Sequence, residues 1–291
     1  MAQKLGFVGY GAMASRMGKR LADAGWEVLA FAPGHEPGED AHDIRYLKTA
    51  AALAAEVHTI LVSVPDDAAL DQAASGEDGF LAGARSGSLL IDVSSVSPSA
   101  SIALSRRGAA QELAVLDAPV SGSTPEAEQG KLVVLVGGAA ADVERAQPIF
   151  SVIGARTVHA GAAGQGSTLK LVVNGIMGAG LAALAEAIGY GLAAGLDRDV
   201  LYGALDGAAI LSPHHTRKLN AARDADFAPQ FPTALMDKDM GLLLADANAA
   251  GMPAPTLAAA AQSLTLSHPA HDGDDYSALI GVMEHLAAKR R

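Results

Sequence analysis

Short apolar runs, bounded by glycine, proline or polar clusters, recur through the first half of the chain. They cover residues 5–8, 28–31, 59–64, 88–93, 114–116, 132–136 and 156–159. Runs this short and this continuously apolar predict strands buried on both faces of a sheet. Helical stretches lie between them, at 66–74, 97–107 and 140–153, and Met13, Met17 and Leu21 recur at helical spacing before Gly25. Alternating strands and helices predict a doubly wound, mostly parallel α/β sheet. After Gly166 the pattern changes. The remainder is alanine-rich and helical, broken by Pro213, Pro229, Pro232, Pro253 and Pro255, with no strand-like run. The expected organisation is an α/β domain over 1–162 and an all-helical domain over 163–291.

The first strand, 5–8, runs straight into Gly9-Tyr10-Gly11-Ala12-Met13-Ala14, and a second strand ends at Phe31. Strand, glycine turn, helix and strand within about thirty residues is the context of a dinucleotide fingerprint. Gly9 permits the tight turn, and Gly11 lets the backbone approach a pyrophosphate. The first helical residues, Ala12 and Met13, bring N–H donors and the positive dipole end toward it. Ala14 takes the third fingerprint position. The N-terminal domain is therefore Rossmann-type, with NAD or NADP as cofactor. The residues after Phe31 are Ala32-Pro33-Gly34-His35-Glu36. An acidic residue there would select NAD and an arginine NADP. Neither is present. His35 can meet a phosphate that Glu36, Glu39 and Asp40 oppose, so the choice between the two cofactors stays open.

Composition narrows the partners. Half the residues are hydrophobic, aromatics make up 4%, and the net charge is −11. An acidic chain without a basic stripe argues against nucleic acid; the terminal Lys289-Arg290-Arg291 is expected to cap a last helix. There is no cysteine, which removes disulfides, thiol nucleophiles and thiolate metal sites. The chain enters a strand at once, which leaves no room for a signal peptide, and a cytoplasmic location is expected. The apolar run 171–196 has the length of a membrane span, but Asn174, Glu186 and six glycines interrupt it. The expected role is a buried helix between domains or subunits, with no membrane partner.

One stretch of that run carries chemistry. Gly161, Gly164 and Gly166 lead into an apolar helix that bears Lys170 and Asn174. Residues at i and i+4 share a helix face. A lysine held in apolar surroundings has its pKa lowered, which suits proton transfer. The alternative is a stem lying along apolar surface with its head in water.

Further motifs follow in order: Val64-Pro65-Asp66-Asp67, then Asp92-Val93-Ser94-Ser95, then Asp117-Ala118-Pro119-Val120-Ser121-Gly122-Ser123. Met236-Asp237-Lys238-Asp239 and Asp275-Tyr276-Ser277-Ala278 come late in the chain. Together with the two glycine turns, this series resembles the β-hydroxyacid dehydrogenase family over essentially the whole chain. That family includes enzymes acting on 3-hydroxyisobutyrate, tartronate semialdehyde and succinic semialdehyde or glyoxylate. The resemblance implies that Lys170 is the catalytic lysine and that Asn174 orients substrate beside it. Ser121, Gly122 and Ser123 would hold a substrate carboxylate. Ser95, Val64, Pro65 and Lys238 would border the cofactor. It also implies a small carboxylate-bearing substrate and a homodimer or homotetramer. Ser123 stands where the family often has glycine, and that serine is similar to the loop of the succinic-semialdehyde/glyoxylate reductases. Rival readings are an imine reductase, a non-catalytic nucleotide sensor, and a decarboxylating phosphogluconate-type enzyme. Lys170 and Ser121-Gly122 argue against the first, the intact Lys170/Asn174 pair against the second, and chain length against the third.

The remaining polar groups are expected to be bland. His214-His215 read as a solvated pair in a connection, and no metal site is expected because no third ligand is suitably spaced. Arg217 and Lys218 read as a substrate entrance or a basic surface turn. His268 and His271 read as loop residues, Lys238-Asp239 as a helix charge pair, and Asp272 to Asp275 as an acidic cluster at a helix start.

Overall fold

The computed structural model describes residues 3–36, 38–39 and 44–289. Asp40, Arg290 and Arg291, which figure in the expectations above, lie outside the described residues. The chain divides into two compact units, Met1–Lys170 and Leu171–Arg291.

The first unit is built on ten strands: β1 (Lys4–Val8), β2 (Glu27–Phe31), β3 (Gly38–Glu39), β4 (Arg45–Tyr46), β5 (Thr59–Val62), β6 (Leu89–Asp92), β7 (Ala114–Asp117), β8 (Val120–Ser121), β9 (Leu132–Gly137) and β10 (Gly154–Gly161). They form one sheet in the order β10-β9-β7-β6-β5-β1-β2-β4-β3, with β8 beside β9. Pairing is parallel from β4 through β7 and between β9 and β10. It is antiparallel where β9 meets β7 and β8, and where β3 meets β4. The mostly parallel sheet is thus a Rossmann-like core with a mixed edge.

Side chains alternate across the sheet. Leu5, Phe7, Val28, Ala30, Leu61, Leu89 and Ile91 join one core, with Met17, Leu21, Ile149 and Phe150 from the helices Ala12–Asp23 and Ala140–Ile153. Val8, Leu29, Ile60, Val62 and Leu90 join the other, with Leu53, Leu70 and Leu104 from Ala50–Glu56, Asp67–Ala74 and Pro98–Ala109. Both faces are covered, which is why the strand sequences are apolar throughout. The approach is close at β1. A Cβ on Gly6 would lie 2.3 Å from a methyl carbon of Leu53.

β1 lies between β2 and β5. The chain leaves β1 toward β2 and β4, then returns to pair on the opposite side. This reversal opens a crevice at the carboxyl ends of β1 and β5. Gly9 closes the end of β1 at φ +84°, where a Cβ would sit 2.1 Å from the Ser63 carbonyl oxygen.

Two carboxyls end neighbouring strands. Asp92 on β6 and Asp117 on β7 are register partners, and both are buried. Asp92 Oδ1 accepts the Ser94 N–H at 3.0 Å, while Oδ2 has no hydrogen-bond partner. Burial pushes the Asp92 carboxyl up to about 7; Ser94 opposes the rise, and the Asp117 and Asp67 charges add to it.

In the second unit, the helix Gln165–Ala193, which starts in the first unit, contributes Leu181, Leu184 and Ile188 to a core. Leu219, Met236, Met240, Leu264, Tyr276, Leu279 and Ile280 complete it. Glycines on that helix bring neighbours close: Cβ atoms at Gly175 and Gly178 would lie 2.5 Å from Leu243 and 2.9 Å from the Met240 sulfur. Half of its most apolar window is buried. An isolated bridge between Pro232 and Asp275 is the one departure from helix-only structure among the described residues of this unit.

Gly9→Ala is expected to destabilise the protein by on the order of 3 kcal/mol, since it combines left-handed strain with a backbone clash. Thermal unfolding of the two proteins measures this, and an unchanged midpoint would refute the account of the turn. For Asp92, the folded state holds a proton that the unfolded chain releases near pH 4. Its contribution to stability therefore falls as pH rises from about 4 to about 7. Between pH 5 and 8, urea unfolding should show the native protein losing about 2 kcal/mol more than Asp92→Asn. Parallel pH curves would contradict this.

Candidate active site

The crevice at the ends of β1, β2 and β5 is a cleft of about 660 Å³. Gly9, Gly11, Phe31, Val64 and Pro65 all line it, as the fingerprint predicts. Tyr10, His35 and Asp78 line it too, and no sequence signal marked Tyr10 or Asp78. A Cβ built at Gly11 would meet nothing within 4 Å. The cradle beside Gly11 is therefore open because the side chain is missing, not because the fold needs glycine there. The helix Ala12–Asp23 that follows has no side-chain cap and no acidic residue in its first turn. Its N–H donors and dipole end suit a pyrophosphate. These residues fit a dinucleotide.

The loops around the cleft are fastened to one another. Ser94 Oγ accepts the Val64 N–H at 3.0 Å. Asp66 caps the helix Asp67–Ala74, and Asp67 accepts the Ser97 N–H at 2.8 Å and its hydroxyl at 2.6 Å. Buried Ser94 ties the β5 and β6 loops together; its neighbour Ser95 is half-buried. Ala12 is exposed at the helix start, and Met13 packs against the core. Neither residue lines the cleft, nor does Ser95.

Ser121 ends β8, Gly122 follows at φ +132°, and Ser123 is the N-cap of the helix Thr124–Gln129. The Ser123 N–H donates to Glu126 Oε2 at 2.8 Å. Part of the expected carboxylate loop is thus committed to capping its own helix.

The start of the helix Gln165–Ala193 is bolted to the sheet. The Asp117 carboxylate accepts the N–H groups of Gly164 at 2.8 Å and Ser167 at 2.9 Å. Burial raises the Asp117 carboxyl above its ordinary range, against the pull of these donors. Ser101 and Ser167 hydroxyls meet at 2.8 Å. A Cβ on Gly166 would lie 2.5 Å from the Asp117 carbonyl oxygen and 2.6 Å from that of Leu135. Glycine is needed there for close approach to β7 and β9. One turn further along, Lys170 is 7% exposed. Its head is not in open water.

In the helical unit, Asn174 is fully buried, and its Nδ2 donates to Asp239 Oδ2 at 2.5 Å. Asn174 Oδ1 has no hydrogen-bond partner. Lys238 Nζ lies 3.1 Å from Asp239 Oδ1. The expected Lys238–Asp239 helix charge pair is present, but Asp239 is 1% exposed, and its other carboxylate oxygen holds the Asn174 amide.

Other expectations for this unit need correction. His214 and His215 are not in a solvated connection. They lie in the first turn of the helix Pro213–Arg223, where His214 Nε2 bonds the Tyr276 hydroxyl and His215 Nε2 lies 3.2 Å from the Met177 carbonyl. Burial first, then the Lys218 charge, press His214 down to about 4. Lys218 is buried, not a surface turn, and its Nζ lies 2.7 Å from Asp275 Oδ2. Burial presses the Asp275 carboxyl upward, but Lys218, Ser277 and the Phe231 N–H hold it below the ordinary carboxylate range. Asp275 is therefore an internal ion-pair partner rather than part of an exposed acidic cluster. His268 and His271 lie on a short helix rather than a loop, paired with Asp272 and Asp274. Among the described residues, no group of three potential ligands could hold a metal ion.

Comparison with known proteins agrees with this geometry. Residues 4–161 match the NAD binding domain of 6-phosphogluconate dehydrogenase, and residues 164–283 match the NAD-binding domain of NADP-dependent 3-hydroxyisobutyrate dehydrogenase. The chain is 32% identical to 2-(hydroxymethyl)glutarate dehydrogenase of Eubacterium barkeri, over 97% of this chain and 95% of that protein. It is also 32% identical to 2-hydroxy-3-oxopropionate reductase of Escherichia coli, over 98% of each. The solved structure of Mycobacterium tuberculosis 3-hydroxyisobutyrate dehydrogenase with L-serine superposes with a TM-score of 0.83 at 28% identity, covering 97% of this chain and 99% of that one. A glycine cradle at a topological switch point and matches along the whole chain lead to one conclusion: the protein is an NAD(P)-dependent oxidoreductase and belongs to the 3-hydroxyisobutyrate dehydrogenase and 6-phosphogluconate dehydrogenase-like superfamily.

Proposed function

We propose that the protein interconverts a small β-hydroxyacid and its semialdehyde, with Lys170 as the general acid and base. The observation that carries this reading is the polar face of one helix. A buried lysine stands four residues before a buried amide whose carbonyl oxygen has no donor. The relatives point to the same chemistry. Their names describe short acids bearing a hydroxyl or an oxo group.

When bound, the nicotinamide supplies the hydride chemistry. The chain's residues supply position and protons. In reduction, the Lys170 ammonium donates a proton to the substrate oxygen as negative charge grows there. In oxidation, the neutral amine accepts the hydroxyl proton. In turnover, Asn174 Oδ1 accepts an N–H of the Lys170 ammonium and so aims the remaining N–H groups at the substrate oxygen, its amide held in place because Nδ2 donates to Asp239. Ser121 Oγ and the Gly122 N–H serve the substrate carboxylate, while Ser123 fixes the loop by capping its helix. Lys238, paired with Asp239, helps to orient the amide from the other side.

The exposed apolar positions of the long helix support a second copy as partner. Val172, Ile176 and Tyr190 are 49%, 67% and 76% exposed on a helix otherwise rich in small apolar residues. Large apolar groups grouped on one element mark an association surface. We infer a homodimer or homotetramer that covers this face.

Lys170→Ala should lose roughly 10²–10⁴-fold in turnover, while nicotinamide fluorescence titration shows dinucleotide binding unchanged. Full turnover in that variant would remove the lysine from the mechanism. Ile176→Asp combined with Tyr190→Ser should reduce the assembly toward monomer in light scattering. An unchanged mass would place the interface elsewhere.

A further inference from the structure

The end of β2 in a Rossmann-type domain faces the adenosine ribose, and a carboxylate there favours NAD by bonding the ribose hydroxyls. This chain instead makes a tight turn. The His35 N–H donates to the Ala32 carbonyl at 3.2 Å, and Gly34 stands at φ +81°. Proline second and glycine third with positive φ form a type II turn. The turn is poor in side chains, and a Cβ on Gly34 would meet nothing within 4 Å. The space beside Gly34 is open, and its neighbours Pro33 and His35 line the cleft.

His35 lines the same cleft as Gly9 and Gly11. Its ring is backed by aromatics. It stacks on Tyr46 with centroids 4.9 Å apart and planes 6° apart. Tyr46 meets Tyr10 edge-on at 5.9 Å, and Tyr10 meets Phe7 at 5.5 Å. Phe7 is in β1 and fully buried. This ladder roots an exposed imidazole in the sheet core and limits the rotamer freedom lost on binding. The titratable groups that line the cleft are Tyr10, His35 and Asp78. Asp78 comes from the loop after the helix Asp67–Ala74 rather than from the β2 turn. Glu36 is exposed and does not line the cleft.

We propose that His35 is the selectivity residue for the adenosine 2′-phosphate, so that the protein prefers NADP over NAD through this one imidazole. None of the four turn residues, Ala32 to His35, is acidic; Glu36, which follows them, is exposed and does not line the cleft. A fixed imidazole offers one N–H donor when neutral, and two donors with a positive charge when protonated. Such charge-assisted bonds are about twice as strong as neutral ones. The inference rests on the dinucleotide cleft described above.

The test is equilibrium binding of NADPH and NADH by nicotinamide fluorescence, with ADP and adenosine 2′,5′-diphosphate as probes of the adenosine end. The native protein should bind NADPH about tenfold more tightly than NADH, and the 2′-phosphorylated probe more tightly than ADP. His35→Ala should lose about tenfold for NADPH while NADH changes less than twofold. His35→Arg should restore the preference, which a residue that merely shapes the turn would not do. Equal loss for both dinucleotides, no change in either, or a native preference for NADH would overturn the assignment of His35. A native protein that binds neither dinucleotide would overturn the cleft itself, and the selectivity reading with it.

Discussion

A helix that must present a lysine at a fixed point needs an anchor close to that lysine, because error grows with distance along a chain. Here the anchor is the Asp117 carboxylate, buried at the end of β7. It takes two N–H groups from the first turn of the helix Gln165–Ala193. The unsatisfied donors of a helix start are matched by one anion, and Gly166 lets that turn lie against strand backbone. Lys170 follows one turn later. Asp92, the register partner of Asp117, completes the constraint. Burial, with the Asp117 and Asp67 charges adding to it, raises the Asp92 carboxyl, so Asp92 keeps its proton more readily beside an ionised anchor.

The rest of the site is also organised by short polar ties. Ser94 joins the β5 and β6 loops, Asp67 grips Ser97, and Asp239 holds the Asn174 amide. Each tie fixes a loop or an amide by a residue that does not itself line the cleft. Preorganisation of this kind puts the energetic cost into folding rather than into binding. It also explains why Gly9 and Gly11 differ. The first is demanded by the protein's own backbone, whereas a side chain at the second would project into open space.

Much of this was legible in the chain. The strands were visible because a doubly covered sheet makes its strands apolar at every position, as in Ile60, Leu61 and Val62. The glycine turn was visible because strand, turn and helix follow one another directly. The short edge strands Gly38–Glu39 and Arg45–Tyr46 left no mark, since two residues carry no period. Long-range polar pairs were equally silent. Asn174 and Asp239 are 65 residues apart, and Lys218 and Asp275 are 57 apart. A charged residue in a helical sequence defaults to the surface until its partner is known, and for this reason the burial of Asp239, Lys218 and Asp275 was not legible. The His214-His215 pair was misjudged similarly, because proline at the start of a helix resembles a break in one.

The unbroken rod from Gln165 through Asn174 restricts how such a protein can change in length. Loops elsewhere absorb insertions at little cost. A single residue inserted between Lys170 and Asn174 would turn the amide through about 100° around the rod axis and away from the amine. Descendants of this chain can therefore vary freely in the size of their surface connections, while the spacing across this one segment stays locked in phase.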